Sequence, residues 1–452
     1  MARASPIRLM EEVRLLLGLA WPAIITNLSW AIMQAIDVSI LGHLGADELG
    51  VLGGARTLFF LAIVIGISAI SGVSPYTSYA FGARDESGVS SCFRSGLTLS
   101  VIVGCAGSGL LIFFPAMLLS LLGISPDLVV ASTSVVVSMA IGLPALMIAS
   151  TASMVLEATG RPVRITIVNL ALLPVNTWLA WKWSGGIPGL PGAGPVGVAA
   201  ATSVSIWMGA AILVFLAWRA VPPRKGGLVT GMKPWSAEIG RLARFGLPPA
   251  LAAALQLAGV TYLTSFSTRL GSYSAAAFQI ILSVQALFSV VFIGLAVATG
   301  VRVGLAYGAR DTEMLWYRAR LAAGICCLSG SIIALLCFAA SRKIAAAFSE
   351  DATIIPLAAS ALEAITPYFL AGGLQAVFGS VLLATGNQIT ASVNNSLAVI
   401  VTISTGYAFV SNGFGVAGLA MGLGSGAAFA LTLHLCRIAW ASKHGLPALA
   451  DV

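Results

Sequence analysis

The sequence predicts an all-α polytopic membrane protein with twelve transmembrane helices in two pseudo-symmetric six-helix bundles. Three observations carry this expectation. Of 452 residues, 58% are hydrophobic and 9% are charged, whereas a soluble domain carries about a quarter charged residues. Apolar runs of about 20 residues, long enough for a hydrocarbon core about 30 Å thick, recur from end to end. The chain also resembles itself at half its own length.

In the first half the runs lie near 15–41, 50–75, 95–122, 128–156, 163–184 and 195–220. In the second they lie near 243–268, 275–301, 319–341, 353–384, 388–411 and 415–440. A closed barrel would also satisfy every backbone group in lipid, but its strands read as short alternating segments. Runs this long and continuous are helices. The first is full length and follows a mixed-charge segment, so it reads as a span and not as a cleaved leader.

The formal charge of +8 would suit a nucleic-acid binder only if the basic residues formed one patch. They are distributed by loop instead. Arg3, Arg8 and Arg14 precede the first span. The even-numbered loops and the C-terminus hold Arg84, Arg94, Arg161, Arg164, Arg219, Arg224, Lys225, Lys233, Arg241, Arg244, Arg302, Arg310, Arg318, Arg320, Arg437 and Lys443. The odd loops and their flanks hold Arg56, Lys182, Arg269, Arg342 and Lys343. By the positive-inside rule both termini are cytoplasmic. A lipid bilayer is the expected partner and nucleic acid is not. The short loops suit a bacterial inner membrane.

At an offset of 226 residues Phe81-Gly82-Ala83-Arg84-Asp85 recurs as Tyr307-Gly308-Ala309-Arg310-Asp311. Pro22 meets Pro248, Leu44-Gly45 meets Leu270-Gly271, and Asn169 meets Asn395. Val155-Leu156-Glu157-Ala158-Thr159-Gly160 meets Val381-Leu382-Leu383-Ala384-Thr385-Gly386. The register then slips by five, so that Gly194-Pro195-Val196-Gly197 faces Gly415-Val416-Ala417-Gly418. Each repeat holds an even number of spans, so both share one orientation. The expected domains are an N-terminal lobe over 1–220, a Pro- and Gly-rich cytoplasmic linker over 221–240, and a C-terminal lobe over 241–452. Paired bundles around a central cavity suit alternating access.

Enzymatic chemistry finds little support. The three histidines, His43, His434 and His444, sit near span ends, and no HExxH, GxSxG or P-loop pattern occurs. The six cysteines show no CxxC or His-linked spacing and read as small apolar packing groups. No cofactor and no metal cluster are expected.

Most acids lie in loops; Glu157 sits beside Arg161 at a cytoplasmic helix end and Glu363 in the outer half of the tenth span. Asp37 is the remaining one, in the outer half of the first helix between Ile36 and Val38. At about 100° per residue Asn27, Trp30, Gln34 and Asp37 fall within one arc, a polar stripe that should face protein or water. A carboxyl buried among helices is either satisfied by neighbouring helices or works as a carrier. As a carrier it would bind a proton, a monovalent cation such as sodium, or a cationic cargo, and shared use makes ion and cargo compete. At the same offset the second half has Ala253, Gln256, Val260 and Leu263. Ion coupling is therefore expected in the N-terminal lobe.

The stretch from Trp21-Pro22 to Asp37-Val38, followed by Gly42, Leu44 and Gly45, resembles the first-helix signature of the multidrug and toxic compound extrusion (MATE) family. The repeated Gly-Ala-Arg-Asp, Ala158-Thr159-Gly160 and Gly194 to Thr202 are similar to that family too, and the resemblance covers the whole chain. It implies a two-lobed antiporter exporting organic, often cationic compounds against a proton or sodium gradient, with no enzymatic activity. It implies Asp37 as the coupling residue and Asn169 and Thr202 as companions. Leu173, Gln256 and the region of Gly373 depart from acidic positions of some relatives, which favours the DinF-like, proton-coupled subgroup.

The expected reading is thus an antiporter exporting amphipathic, mainly cationic organic compounds, a multidrug efflux protein coupled to proton influx by alternating access, with sodium coupling or a lipid-linked flippase as alternatives, and the chain acting as a monomer. Candidate cavity residues are Asn27, Trp30, Gln34, Asn176, Gln256, Gln279, Gln375 and Asn395. The aromatics Phe59, Phe60, Trp207, Tyr262, Phe266, Phe288 and Phe292 either line a cavity or pack.

Overall fold

The computed structural model describes residues 6–42, 46–186, 192–221 and 235–446. These residues form seventeen α-helices: α1 (Pro6–Gly42), α2 (Ala46–Ala69), α3 (Val73–Gly82), α4 (Glu86–Phe113), α5 (Pro115–Leu121), α6 (Pro126–Ala140), α7 (Leu143–Ala158), α8 (Val163–Trp181), α9 (Gly194–Ala220), α10 (Trp235–Arg269), α11 (Ser272–Gly308), α12 (Thr312–Ala339), α13 (Ser341–Phe348), α14 (Ile354–Ala364), α15 (Thr366–Ala384), α16 (Gln388–Phe409) and α17 (Gly415–His444). Most of the expected linker, 222–234, and the Leu44-Gly45 match lie outside the described residues.

Twelve spans follow once broken helices are joined. Helices α2 and α3 form one apolar stretch, Gly50–Gly82, and α6 with α7 form a span bent by 41°. Helices α14 and α15 meet at Ile365. The stretch Gln388–His444 has 57 residues, about 85 Å if straight and far longer than a bilayer core. It breaks at Gly413 and Gly415, both with positive φ. Helices α16 and α17 then pack side by side, so closely that a Cβ on Gly422 would lie 2.7 Å from Gly406 Cα. They are therefore two spans.

Expected boundaries fail where polarity masks a helix. The third and ninth spans were expected to start at 95 and 319, but α4 and α12 start at 86 and 312. Asp85 and Asp311 are their N-caps, accepting from the backbone N–H of Gly88 and Met314 at 2.9 Å each. Capping turns are polar and read as loop. The repeated Gly-Ala-Arg-Asp is thus a helix stop joined to a helix start. Arg84 and Arg310 adopt φ of 57° and 58°. Their N–H groups donate to Phe81 and Tyr307 carbonyls, and those of Asp85 and Asp311 to Ala80 and Ala306. This is the Schellman pattern with arginine where glycine is usual. Gly160 and Gly386 close α7 and α15 in the same way, with φ of 75° and 76°. The duplication therefore extends to individual backbone bonds.

Two compact units emerge, one of residues 25–250 and one of residues 1–24 with 251–452. They differ from the expected lobes because α1 and α10 each change unit at an internal proline, Pro22 and Pro248-Pro249, where the ring removes a helix hydrogen bond. The early part of α1 is held in the second unit by Leu16 and Ala20, which join a core with Phe278, Phe292 and Phe369. Glu12 is buried there and pairs with Arg302 of α11 and, at 3.1 Å, with Arg318 of α12. At the repeat offset Glu12 becomes Glu238, near the start of α10. In the first unit Glu238 accepts from Ser91 and, at 3.2 Å, from Ser95 of α4. The adjacent Arg241 lies over the Tyr76 ring, 4.5 Å from its centroid. The two arms are anchored at matching positions, one by charge and one by hydroxyls.

Removing Glu12 leaves two largely buried guanidinium groups unpaired, at a cost of about 3 kcal/mol. Removing Glu238 frees only hydroxyl groups, at about 1 kcal/mol. Thermal unfolding in detergent should therefore show a clearly larger loss for Glu12→Ala than for Glu238→Ala; equal losses would contradict the charged anchor. Arg310→Gly should melt at or above wild type, because glycine takes positive φ without the penalty of about 1 kcal/mol that a side chain carries.

Ser87 and the backbone N–H groups of Gly88 and Ser87 hold the Asp85 carboxyl below its ordinary range against partial burial. Its capping contribution is therefore full at neutral pH and is lost as acid protonates it.

Candidate functional site

The polar stripe of α1 meets protein within the first unit. Trp30 packs on Ala145, Ile206 and Ala210 of α7 and α9, and the neighbouring Thr26 shares a 3.1 Å hydroxyl contact with Thr166 of α8. One turn beyond Gln34, Asp37 is 2% exposed. Arg56 Nη2 donates to Asp37 Oδ2 at 3.2 Å, and Arg56 Nη1 donates to the Gln34 carbonyl at 3.2 Å. Thr202 Oγ1 of α9 lies 3.5 Å from Asp37 Oδ2. Asn176 of α8, fully buried, reaches Thr202 Oγ1 at 3.5 Å and Ser205 Oγ at 3.4 Å. Four helices thus converge on one carboxylate.

The site is incompletely satisfied. Asp37 Oδ1, Arg56 Nε and Asn176 Oδ1 are buried with no hydrogen-bond partner. Such groups are expensive in a low-dielectric interior and signal a place where another atom can bind. No group of three or more His, Cys, Asp or Glu side chains that could hold a metal ion occurs among the described residues.

Two expectations change. The sequence places Arg56 among the odd loops and their flanks, where long cations usually snorkel to water, and gives Asp37 no charged partner. Helix α2 begins at Ala46, so Arg56 lies nearly three turns inside and pairs with Asp37. Asn169, a companion of Asp37 by the family resemblance, donates its amide to Ile165 of its own helix at 2.9 Å; Asn176, seven residues on, bonds to Thr202 and Ser205. Their pairing could not be read from the sequence because Asp37 and Arg56 lie on different helices. The visible signal was an arginine deep in an otherwise apolar run.

The other candidates scatter. Asn27 is half-buried, whereas Gln256 and Gln279 are exposed. Gln375 Nε2 donates to Asn395 Oδ1 at 3.1 Å in the second unit. Glu363 is bound by Ser341 Oγ at 2.8 Å, and no ion pair joins Glu157 to Arg161 among the described residues. Phe59 and Phe292 are core residues, while Phe60, Trp207 and Tyr262 are exposed.

The repeat supplies an internal control. At the offset of 226, Asp37 and Arg56 become Leu263 and Leu282, and at 221, past the register slip, Thr202 becomes Leu423. Leu263 and Leu423 are buried in the second unit's main core and Leu282 packs against it. Three leucines occupy the place of the pair and its hydroxyl. The fold has no need of charge there.

The chain is thus a duplicated, two-unit helical membrane protein whose Asp37–Arg56 pair has only leucines at the matching positions of the other repeat. The MatE family profile matches residues 22–181 and 248–408, one match for each repeat, and the chain belongs to this family. A probable multidrug resistance protein NorM of Aromatoleum aromaticum is 24% identical over 372 residues, covering 79% of this chain and 77% of that protein. Its namesake in Chromobacterium violaceum is 25% identical over 429 residues, covering 93% and 88%. Among solved structures, the eukaryotic MATE transporter AtDTX14 superposes with a TM-score of 0.84 at 20% identity, over 95% of this chain and 96% of that one. An outward-facing multidrug resistance MATE family transporter of the MOP superfamily gives 0.85 at 19%, over 98% and 100%. A MOP superfamily transporter from Pyrococcus furiosus, described by the reverse polarity of its binding pocket, gives 0.84 at 18%, over 98% and 100%. Identities this low establish the shared fold.

The leucine counterpart leads to a stability test. Arg56→Leu strands the Asp37 carboxylate and should cost about 3 kcal/mol. The triple variant Asp37→Leu/Arg56→Leu/Thr202→Leu should recover most of that loss in thermal melts. A triple variant no more stable than Arg56→Leu alone would show that the pair is structural.

Proposed function

We propose that this protein is an exporter of amphipathic organic compounds, a multidrug efflux antiporter of the MatE family, driven by proton influx through alternating access. The observation that carries the reading is the buried, partly unsatisfied Asp37–Arg56 pair in a bundle whose twin is filled by leucine. An ion pair that the fold can replace with leucines is retained for work. The names of the NorM relatives support a drug-exporting role, and the expected orientation puts both termini in the cytoplasm of a bacterial inner membrane.

In this reading Asp37 carries the coupling proton and Thr202 and Asn176 hold its surroundings, with Asn176 taking the place expected for Asn169. The two lobes are the moving bodies, joined near 221–240. A proton suits the site better than sodium. A second cation would sit against the Arg56 guanidinium, whereas a proton neutralises the carboxylate without adding a repelling centre. The DinF-like placement agrees with proton coupling, and sodium remains the alternative driving ion.

The test is efflux from proteoliposomes under an imposed pH gradient, with a matched sodium gradient as control. Asp37→Asn should abolish pH-driven accumulation while leaving the folded protein intact by size exclusion. Unchanged coupling in that variant removes the role assigned to Asp37; drive by sodium alone in wild type transfers it to the alternative ion.

A further inference from the structure

We propose that Arg56 is a carboxylate-binding, specificity-determining residue, so that the cargo of this protein includes amphipathic molecules bearing a carboxylate. The inference rests on the exporter reading and names the chemistry of its cargo.

Arg56 is the accessible member of the pair. Its side chain is 19% exposed, against 3% for Asp37, so the guanidinium offers the surface that a molecule at this part of the first unit can touch. A quaternary ammonium is repelled at that point; an anion is drawn in. The charge that would welcome a cation lies behind the charge that refuses it.

The donor inventory agrees. A guanidinium has five N–H donors arranged as forks that match a carboxylate through two parallel bonds. Arg56 makes one bond to Asp37 through Nη2 and one to the Gln34 carbonyl through Nη1, its Nε is buried without a partner, and each Nη keeps a second N–H for a ligand. Asp37 is held through Oδ2 alone, while Oδ1 is unpartnered. The internal pair is thus monodentate, and a cargo carboxylate that made both bonds would satisfy donors that Asp37 leaves idle.

Space and apolar surface adjoin the guanidinium. One turn before Arg56, Gly53 is exposed, and a Cβ built there would find no heavy atom within 4 Å. One turn after it, Phe60 is 50% exposed. Thr57, on the same face, spends its hydroxyl on the Gly53 carbonyl at 3.0 Å, so it does not compete for a ligand. An anionic head at Arg56 with an aromatic or aliphatic body along Gly53 and Phe60 fits this face. When Asp37 carries its proton, its hold on Arg56 weakens and the guanidinium turns to the cargo, which gives one pair of residues both ion and substrate.

The experiment is equilibrium binding to the purified full chain in detergent, using 2-naphthylacetate, its methyl ester and a naphthyltrimethylammonium salt as probes. Wild type should bind the acid about tenfold or more tighter than the ester, the scale of one charge-assisted hydrogen-bond pair. Arg56→Gln should erase that preference, Arg56→Lys should keep a reduced one, and Asp37→Asn should preserve or strengthen it. The double variant Asp37→Asn/Arg56→Gln, which strands no charge, guards against misfolding and should also lack the preference. Equal binding of acid and ester, tighter binding of the ammonium salt, or an acid preference surviving in either Arg56→Gln protein overturns the proposal. No gradient is applied, so the outcome is independent of whether Asp37 couples transport to protons.

Discussion

Opposite charges cannot be held among apolar helices without each other, and the Asp37–Arg56 contact is the point on which this molecule's chemistry turns. A lone carboxylate 2% exposed in such a bundle would cost several kcal/mol. A guanidinium beside it repays part of that cost, and the helices must then be placed so that α1 and α2 meet at one height. Thr202 and Asn176 extend the same demand to α9 and α8. The contact is nevertheless poorly finished, with an oxygen of Asp37 and a nitrogen of Arg56 left over. A structural ion pair gains by saturating its bonds. One that must open gains by leaving some unmade.

The duplication makes this asymmetry interpretable. Two copies of one bundle share capping turns to the level of single hydrogen bonds, so their differences are choices made on a common backbone. Leu263, Leu282 and Leu423 show what packing alone selects at the site. A similar contrast holds at the anchored arms, where Glu12 faces two arginines and Glu238 faces two serines. In each unit a segment of helix ahead of a proline is fastened by an acid at the same repeat position, and only the strength of the fastening differs. Charge is thus distributed unequally twice, toward the Asp37–Arg56 pair in the first unit and toward the arm's anchor in the second.

Much of this was legible from residues alone, for reasons that also mark the limit. Span number and duplication follow from hydrophobic length and from glycine, proline and capping residues, all local properties. Asp37 stood out because a carboxylate in an apolar run is conspicuous whatever surrounds it. Arg56 is equally conspicuous but counts in the sequence as a flanking cation, because hydropathy cannot tell a snorkelling cation near a helix end from one nearly three turns inside a helix that starts early. Asn169 and Asn176 lie seven residues apart on α8, about two helical turns, and share a face. Which of them reaches Thr202 depends on how deep α8 sits against α9, and height is a tertiary quantity. The early starts of α4 and α12 were hidden because a good N-cap looks like a loop.

A transported ion can shift a two-state protein only by the difference in its affinity for the two states. A fully solvated carboxylate offers almost no such difference, and a fully saturated ion pair resists the change altogether. An under-bonded pair lies between. Its carboxylate can lose its charge without stranding the arginine in bare hydrocarbon, because the Gln34 carbonyl still accepts from Arg56 Nη1. Its arginine can turn away without stripping the carboxyl of every partner, because Thr202 remains 3.5 Å from Oδ2. Each member thus has a second attachment besides the other, the Gln34 carbonyl of α1 for Arg56 and Thr202 of α9 for Asp37. Breaking the contact would therefore leave neither residue without a partner, which bounds its cost, whereas the leucine-filled twin has no such contact to break.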